Sequence, residues 1–212
     1  MSDIDEVYKE LDSKHPKLVF INGKTSTGKT TLSNKLSEKY NCAIIELDEV
    51  IYALDSPKGI NKFIEAYQKR DQVEYIKSFV DAVRLRIQEE LKNHEFVIIE
   101  GAIVRSETLK EIISNWADSF LFIYLDIKDV DAYVRNLTNR LSASNNDGGN
   151  GLPTLFWDKF SPELLEKYYA DRQVTPEVEN AIRSYAVDSM KESEIRLAKF
   201  ASKFNHIVKV GV

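Results

Sequence analysis

Residues 18–36 read LVFINGKTSTGKTTLSNKL, and this stretch decides the fold. Its centre, residues 23–30, matches the pattern G-x-x-x-x-G-K-[ST]. The apolar run before the glycines is typical of a buried parallel strand, and Leu32 and Leu36 follow at helical spacing. A glycine-rich loop between a strand and a helix can wrap a phosphate with its backbone N–H groups at the helix N-terminus. The stretch therefore predicts a nucleotide-binding loop.

The residues of this loop have separate predicted roles. Gly23 and Gly28 permit backbone angles that a Cβ would hinder. Lys29 is a point charge for the β- and γ-phosphates of a nucleoside triphosphate, and Thr30 offers a hydroxyl to Mg²⁺. The nucleotide-binding residues that we predict are Gly23, Thr25, Ser26, Thr27, Gly28, Lys29, Thr30 and Thr31.

Bulk properties narrow the class of protein. A chain of 212 residues that is 43% hydrophobic suits one domain with a full core, with or without a small lid. The net charge of −5 does not favour a nucleic-acid partner. Cys42 is the only cysteine, which fits a reducing cytoplasm. The acidic N-terminus is unlike a signal peptide, and no apolar run approaches the roughly 20 residues that span a membrane.

Further apolar runs alternate with amphipathic segments along the chain. This alternation predicts βαβ units and an α/β fold with a parallel sheet. The predicted strands after the first are 43–47, 96–99, 120–125 and 207–210, and the predicted helices are 3–12, 30–40, 60–69, 72–92, 106–116, 129–141 and 176–203, with a further helix start at Ser161-Pro162.

Acidic residues follow three of these strands, where ligands bind in open α/β sheets. Asp48 is the predicted base that takes the proton of an acceptor hydroxyl, and Glu46 is the alternative base on the same strand face. Asp48 could also be an ordinary loop acid. Glu100 is predicted to hold Mg²⁺ directly or through water, unless it is a polar strand exit facing solvent. Asp126 is predicted to cap the following helix.

Several arginines could contact the transferred phosphate or the acceptor. Arg135 and Arg140 lie in the helix after the fourth strand, where a cis arginine can stabilise charge on the phosphoryl oxygens. The alternative for both is a solvated helix charge. Arg105 is a candidate substrate contact, and Arg172 is a weaker one.

A glycine-rich segment, SASNNDGGNG at 142–151, interrupts the pattern. Long irregular stretches inside a compact domain are usually lids, binding loops or disorder. We take 142–175 as a candidate lid or substrate-region insertion and expect its glycine-rich part to be mobile. An apolar cluster, Leu152, Leu155, Phe156, Trp157 and Phe160, follows and must pack on another element.

Taken together, four segments give the chain a family resemblance over about residues 17–141. They are GKTSTGKTT at 23–31, Asp48, VIIEG at 97–101, and YLDIKDVDAYVRNLTNR at 124–140. The chain resembles P-loop kinases of small molecules and nucleosides, most of all uridine kinase-like enzymes, and also chloramphenicol phosphotransferase-like kinases. The resemblance implies a P-loop NTPase fold, a three-layer α/β/α sandwich whose five-stranded parallel sheet has the order 2-3-1-4-5. It also implies ATP, Mg²⁺ and a helical, arginine-bearing lid.

The sequence departs from uridine kinases at one informative position. These enzymes have a tyrosine three residues after the aspartate, whereas here Ile51 holds that place and Tyr52 follows. We therefore name Asp48, Tyr52 and Arg105 as the candidate substrate residues and leave the acceptor open.

The predicted function is an ATP- and Mg²⁺-dependent kinase that phosphorylates a hydroxyl of a small molecule, such as a nucleoside. The alternative is a nucleotide-dependent switch ATPase that controls a protein partner, with the aromatic cluster as its docking surface. No N-K-x-D motif for guanine is present. The net negative charge of the chain disfavours a polynucleotide kinase. The sequence leaves the oligomeric state open.

Overall fold

The structure is a computed structural model that describes residues 3–54, 73–101, 105–143, 152, 154–171, 173–204 and 206–212. The strands are β1 (Leu18–Gly23), β2 (Cys42–Glu46), β3 (Phe96–Glu100), β4 (Phe120–Asp126) and β5 (Ile207–Gly211). The helices are α1 (Asp3–Lys14), α2 (Lys29–Lys39), α3 (Leu47–Leu54), α4 (Val73–Glu90), α5 (Ser106–Ile113), α6 (Val130–Ala143), α7 (Thr154–Trp157), α8 (Pro162–Asp171) and α9 (Pro176–Ala201).

The strands form one parallel sheet of order β2-β3-β1-β4-β5. This is the order implied by the resemblance, and it is confirmed. β1 lies at the centre, with Phe20 aligned with Ile99 of β3 on one side and with Phe122 of β4 on the other. The loop at 23–28 therefore leaves the sheet at its middle strand, with a strand end on each side.

Helices cover both faces of the sheet, which confirms the three-layer α/β/α architecture. On one face α1 and α2 pack through buried side chains that include Val7 and Leu36. On the other face lie α4, α5 and the end of α9, where the ring of Phe200 packs edge-on against Phe122 at 4.8 Å. Every residue of β1 and β3 is buried, which explains their uninterrupted apolar runs.

A separate apolar cluster joins α6, α7, α8 and the first half of α9. Phe156 is fully buried there and packs against Trp157, Phe160 and Tyr185 with ring centroids 5.0 to 5.3 Å apart. The prediction that the aromatic residues after the glycine-rich segment pack on another element is confirmed. Residues 144–151 of the candidate lid and the predicted helix at 60–69 lie outside the residues that the structure describes, so the lid stays a prediction.

The second strand ends one residue earlier than predicted. Leu47 continues the apolar run of β2, but it is the first residue of α3, where its side chain is buried in the core. Asp48 and Glu49 occupy the first turn of α3, where the positive end of the helix dipole favours acidic side chains. Asp48 is therefore held by a helix rather than by a loose strand end.

The predicted capping role of Asp126 is wrong. Asp129 caps α6 instead, because its Oδ1 accepts hydrogen bonds from the backbone N–H groups of Asp131 at 2.9 Å and Ala132 at 3.0 Å. The buried Asp126 pairs with Lys128 and accepts a hydrogen bond from the Ser193 hydroxyl. Among the described helices, none has the length and apolar character to cross a membrane.

Candidate active site

The loop between β1 and α2 has the backbone of a phosphate-binding nest. Ser26 has φ 63° and Gly28 has φ 88°, so left-handed residues alternate with others and turn N–H groups inward. Gly28 caps the start of α2. At Gly23 the constraint is space, because a Cβ would lie 2.7 Å from Thr27 Oγ1 and 2.9 Å from the carbonyl oxygen of Leu125.

Side chains of the loop also suit an anion. Within the part of the chain that the structure describes, the buried hydroxyl of Ser26 has no hydrogen-bond partner. Thr27 donates to the carbonyl oxygen of Lys24 at 2.7 Å, and the carbonyl oxygen of Thr25 accepts from the Tyr133 hydroxyl at 2.8 Å. The hydrogen bond from Tyr133 thus holds the loop on the side of α6 and leaves the inner surface of the loop to a ligand. Thr31 is exposed in the first turn of α2.

Lys29 lies half-buried at the start of α2, folded back over the loop. Its Nζ donates to the carbonyl oxygens of Lys24 at 3.0 Å and Gly23 at 3.4 Å. Burial lowers the pKa of Lys29 to about 8. The carboxylates of Glu100 and Asp48 oppose this shift, whereas the nearby arginine charges add to it. Lys29 therefore lies within the electrostatic influence of Asp48, the predicted base, and of Glu100, the predicted Mg²⁺ ligand.

Glu100 and Thr30, the predicted Mg²⁺ pair, are in direct contact. Thr30 Oγ1 donates to Glu100 Oε1 at 2.8 Å, and Ser33 Oγ donates to Oε2 at 2.5 Å, so the buried carboxylate accepts a hydrogen bond at each oxygen. Sequence reasoning missed Ser33, although it lies three residues after Thr30 on the same face of α2. The described residues include no group of three or more His, Cys, Asp or Glu that could hold a metal ion. This donor set fits Mg²⁺ that takes most of its ligands from phosphates and water.

Asp48 is accessible to solvent, yet the surrounding protein removes enough of its hydration to raise the pKa of its carboxyl. The charge of Glu100 acts in the same direction, while Lys29 and Arg140 oppose it. Glu46, the alternative base, is aligned with Glu100 on the neighbouring strand, and burial together with that charge raises the pKa of its carboxyl as well. Of these two acids, Asp48 is the one whose charge also acts on Lys29.

Buried residues at the ends of β1 and β3 support the start of α3. Asn22 Nδ2 donates to the carbonyl oxygen of Gly101 at 2.7 Å. A Cβ on Gly101 would lie 3.0 Å from the side chain of Leu47, the residue before Asp48. The position of Asp48 therefore depends on close packing between the ends of β1, β3 and α3. Sequence reasoning missed Asn22, which looks like an ordinary strand end.

The structure separates the two arginines of α6. Arg140 lies two turns after Tyr133 on the same helix face, and Tyr133 contacts the phosphate-binding loop. The charge of Arg140 acts on both Lys29 and Asp48. Arg135 lies roughly 200° around the helix from Tyr133, and it is exposed near Asp129. Both arginine side chains are exposed, and Arg140 is the one on the side of α6 that contacts the loop through Tyr133.

The remaining predicted substrate residues are Arg105, Tyr52 and Arg172. Arg105 is exposed and directly precedes α5, close to the carboxyl end of β3. The side chain of Tyr52 and the whole of Arg172 lie outside the described residues, so their roles stay predictions.

The last long helix reaches the loop as well. Lys24 forms an ion pair with Glu192 of α9. One turn later, the half-buried Arg196 is the second arginine whose charge acts on Lys29. Sequence motifs did not predict this contact, because Lys24 and Glu192 are 168 positions apart and no local pattern extends over such a separation.

The chain also matches a family model. The model for the zeta toxin matches residues 3–119, more than half of the chain. The chain belongs to the zeta toxin family. The zeta toxin match spans the loop, Asp48 and Glu100 but ends before Arg140 and Arg196. The likeness to uridine kinases or chloramphenicol phosphotransferases is not confirmed, whereas the P-loop kinase-like architecture is.

Solved structures similar to this zeta toxin family member include three kinds of protein. A shikimate kinase from Bacteroides thetaiotaomicron is 15% identical, with a TM-score of 0.45, and the match covers 90% of this chain and 84% of that one. A gluconokinase from Sinorhizobium meliloti 1021 is 14% identical, with a TM-score of 0.41 and coverages of 89% and 98%. A protein of the PezAT chromosomal toxin-antitoxin system of Streptococcus pneumoniae is 16% identical, with a TM-score of 0.37 and coverages of 95% and 97%. Similarity at this level supports no further conclusion.

Proposed function

We propose that this zeta toxin family member is an ATP- and Mg²⁺-dependent kinase that transfers the γ-phosphoryl group to a hydroxyl of a small molecule. The observation that carries the proposal is the arrangement at the carboxyl end of the sheet, where Thr30 of the loop donates to Glu100 at 2.8 Å and Asp48 lies in the first turn of α3. A phosphate-binding lysine, a metal-binding pair and a carboxylate of raised pKa are the parts that phosphoryl transfer to a hydroxyl needs.

In this proposal each group has one task. Lys29 and the backbone of 23–30 hold the triphosphate, and Thr30 with Glu100 would hold Mg²⁺, which would neutralise negative charge on the phosphates. Asp48 accepts the proton of the acceptor hydroxyl as its oxygen bonds to the γ-phosphorus. The bond from that phosphorus to the β–γ bridging oxygen breaks, and ADP leaves. Arg140 stabilises charge on the equatorial oxygens.

A nucleoside is our proposed class of acceptor. Its support is the sequence resemblance to uridine kinase-like enzymes, in which an aspartate follows the second strand and an E-G pair follows the third. Asp48 and Arg105 stand near the ends of the corresponding strands in this chain. Because Ile51 departs from the uridine kinase pattern, uridine is one candidate among the nucleosides.

The experiment is a transfer assay with a panel of acceptors. The protein is incubated with ATP, Mg²⁺ and nucleosides, sugars or other hydroxylated metabolites, and products are screened for the mass gain of one phosphoryl group. Lys29→Ala is the control, because it removes the phosphate contact and no core contact. A phosphorylated product that forms with the parent and not with Lys29→Ala supports the kinase. Release of free phosphate alone, with every acceptor, would favour the switch ATPase.

The family name supports a second proposal, that phosphoryl transfer by this chain harms the cell that makes it. Induced expression should then slow growth, and Asp48→Asn at the same protein level should restore it. Equal growth of cells expressing the parent and an empty vector would reject this role without touching the kinase proposal.

A further inference from the structure

The helix α9 carries a polar stripe on one face. Tyr185, Ser189, Glu192, Ser193 and Arg196 recur at spacings of three, four or seven residues, which places them in one row along the helix. Ser189 and Ser193 are buried because this face packs on the body of the protein. Buried polar side chains are unfavourable unless they have partners, so these serines mark a specific contact surface.

Two contacts of this row fix α9 against the phosphate-binding loop. Glu192 pairs with Lys24, the second residue of the loop motif. The Tyr124 hydroxyl, at the carboxyl end of β4, donates to the backbone oxygen of Ser193 at 3.1 Å and also contacts its hydroxyl at 3.1 Å. The residues around 192–196 are therefore held beside the loop.

The direction of α9 determines where Arg196 points. β5 follows α9 directly and runs parallel to β4, so α9 runs back from the carboxyl edge of the sheet towards its amino edge. Side chains of a helix tilt towards its N-terminus. The long side chain of Arg196 therefore extends back towards the carboxyl edge, where the loop and Lys29 lie.

The charges on these elements agree with this placement. α6 contacts the loop through Tyr133 and carries Arg140, while α9 contacts it through Glu192 and carries Arg196. Positive charge brought towards the loop from two helices, in addition to Lys29, favours the binding of a polyanion.

We propose that Arg196 is a further phosphate-contacting residue, whose guanidinium binds the terminal phosphate of the nucleotide from the side of α9. The inference rests on the proposed function, since it assumes that a nucleoside triphosphate occupies the loop. It adds a residue outside the part of the chain that the family match covers.

The test compares Arg196→Ala and Arg196→Lys with Arg183→Ala. Arg183 is the matched control because it lies on the same helix, is exposed and pairs with Asp131. The dissociation constants of Mg-ATP and Mg-ADP are measured for each variant by calorimetry, with thermal unfolding as the check on folding. A hydrogen bond to a charged group is worth about 1.5–3 kcal/mol, or about 10- to 150-fold in affinity.

Arg196→Ala should weaken ATP binding by that factor and ADP binding by less than about threefold, because only ATP carries the terminal phosphate. Arg196→Lys should lie between, since lysine keeps the charge but loses the planar fork. Arg183→Ala should change neither constant. If Arg196→Ala does not fold, the test uses Arg196→Lys. The inference then requires that this variant lose more affinity for ATP than for ADP.

An equal loss for ATP and ADP, or no loss, would overturn the inference. These outcomes leave the proposed function standing as long as the parent binds ATP and Lys29→Ala does not. If Lys29→Ala binds ATP like the parent, the loop itself is not the nucleotide site, and the proposed function fails first.

Discussion

At the scale of single residues, we expect Lys29 to set the pH range in which the proposed site binds nucleotide. Its Nζ contacts only loop carbonyl oxygens among the described groups, and burial lowers its pKa to about 8. A phosphate binds the ammonium form and not the neutral amine. The free protein therefore has to take up a proton on binding once the pH exceeds this value.

We predict that ATP affinity falls above about pH 8, by up to about tenfold per pH unit. The phosphates are already ionised there, because their second pKa is near 6. Lys29→Arg is the control, since arginine stays protonated and should bind with little change over the same range. Calorimetry between pH 7 and 9.5 measures both. A flat profile for the parent would show that the Lys29 ammonium is not what holds the phosphate.

Local patterns predicted some site residues and missed others for a physical reason. Lys29 and Thr30 belong to a contiguous motif, and Glu100 and Asp48 follow strands, so chain order alone predicts their positions. Ser33 and Asn22 carry no such signal, because their roles appear only when α2 and β1 meet β3. Arg196 joins the site through tertiary packing of α9, which no spacing in the sequence encodes.

At the scale of elements, the junction of β3 with α3 positions Asp48. Gly101 has no room for a side chain, because a Cβ would lie 3.0 Å from two atoms of Leu47. Leu47 is buried, so it cannot swing into solvent to make room. A methyl group at position 101 should therefore displace the first turn of α3.

We predict that Gly101→Ala costs about 1–3 kcal/mol in stability, the usual range for overpacking. Phosphoryl transfer should fall further, by up to about 100-fold, because small displacements of a catalytic group reduce the rate strongly. ATP affinity should stay close to that of the parent, since the loop at 23–30 is not moved. Adding Leu47→Ala removes two of the three close atoms and should restore part of the transfer rate. Equal transfer by Gly101→Ala and the parent would contradict this role.

The strands were predictable from the sequence where nearly all of their residues are buried. β1, β3 and β4 lie under helices on both faces, so their apolar runs stand out in the sequence. The start of α3 was not predictable, because Leu47 fits the end of a strand and the start of a helix equally well. Asp126 and Asp129 are both good cap residues, and only the fold shows that Asp126 is used to hold Ser193.

At the scale of the whole molecule, we expect a bound nucleotide to stabilise the folded state. The loop contacts α6 through Tyr133 and α9 through Lys24, so the predicted nucleotide-binding loop is joined to elements from the second half of the chain. Binding to the folded state alone stabilises it by about 2.7 kcal/mol at 100 times the dissociation constant.

We predict that saturating Mg-ATP raises the melting temperature by about 5–10 °C, given a shift of about 2–4 °C per kcal/mol in a chain of this size. Lys29→Ala should melt near the parent's temperature without ligand and should gain little from Mg-ATP. Differential scanning fluorimetry gives both values. A shift of equal size in the parent and in Lys29→Ala would mean that ATP binds elsewhere.

The most direct test of the kinase proposal follows the γ-phosphoryl group in the parent and in Asp48→Asn. The substitution keeps the size of the side chain but removes its basicity. General-base assistance is worth about 10²–10⁴-fold, so transfer to the best acceptor should fall by that order. ATP affinity should change little, because the loop contacts are intact. Transfer by Asp48→Asn at the parent's rate would contradict the account, and loss of ATP binding together with transfer would assign Asp48 to the metal site and Glu46 to the base.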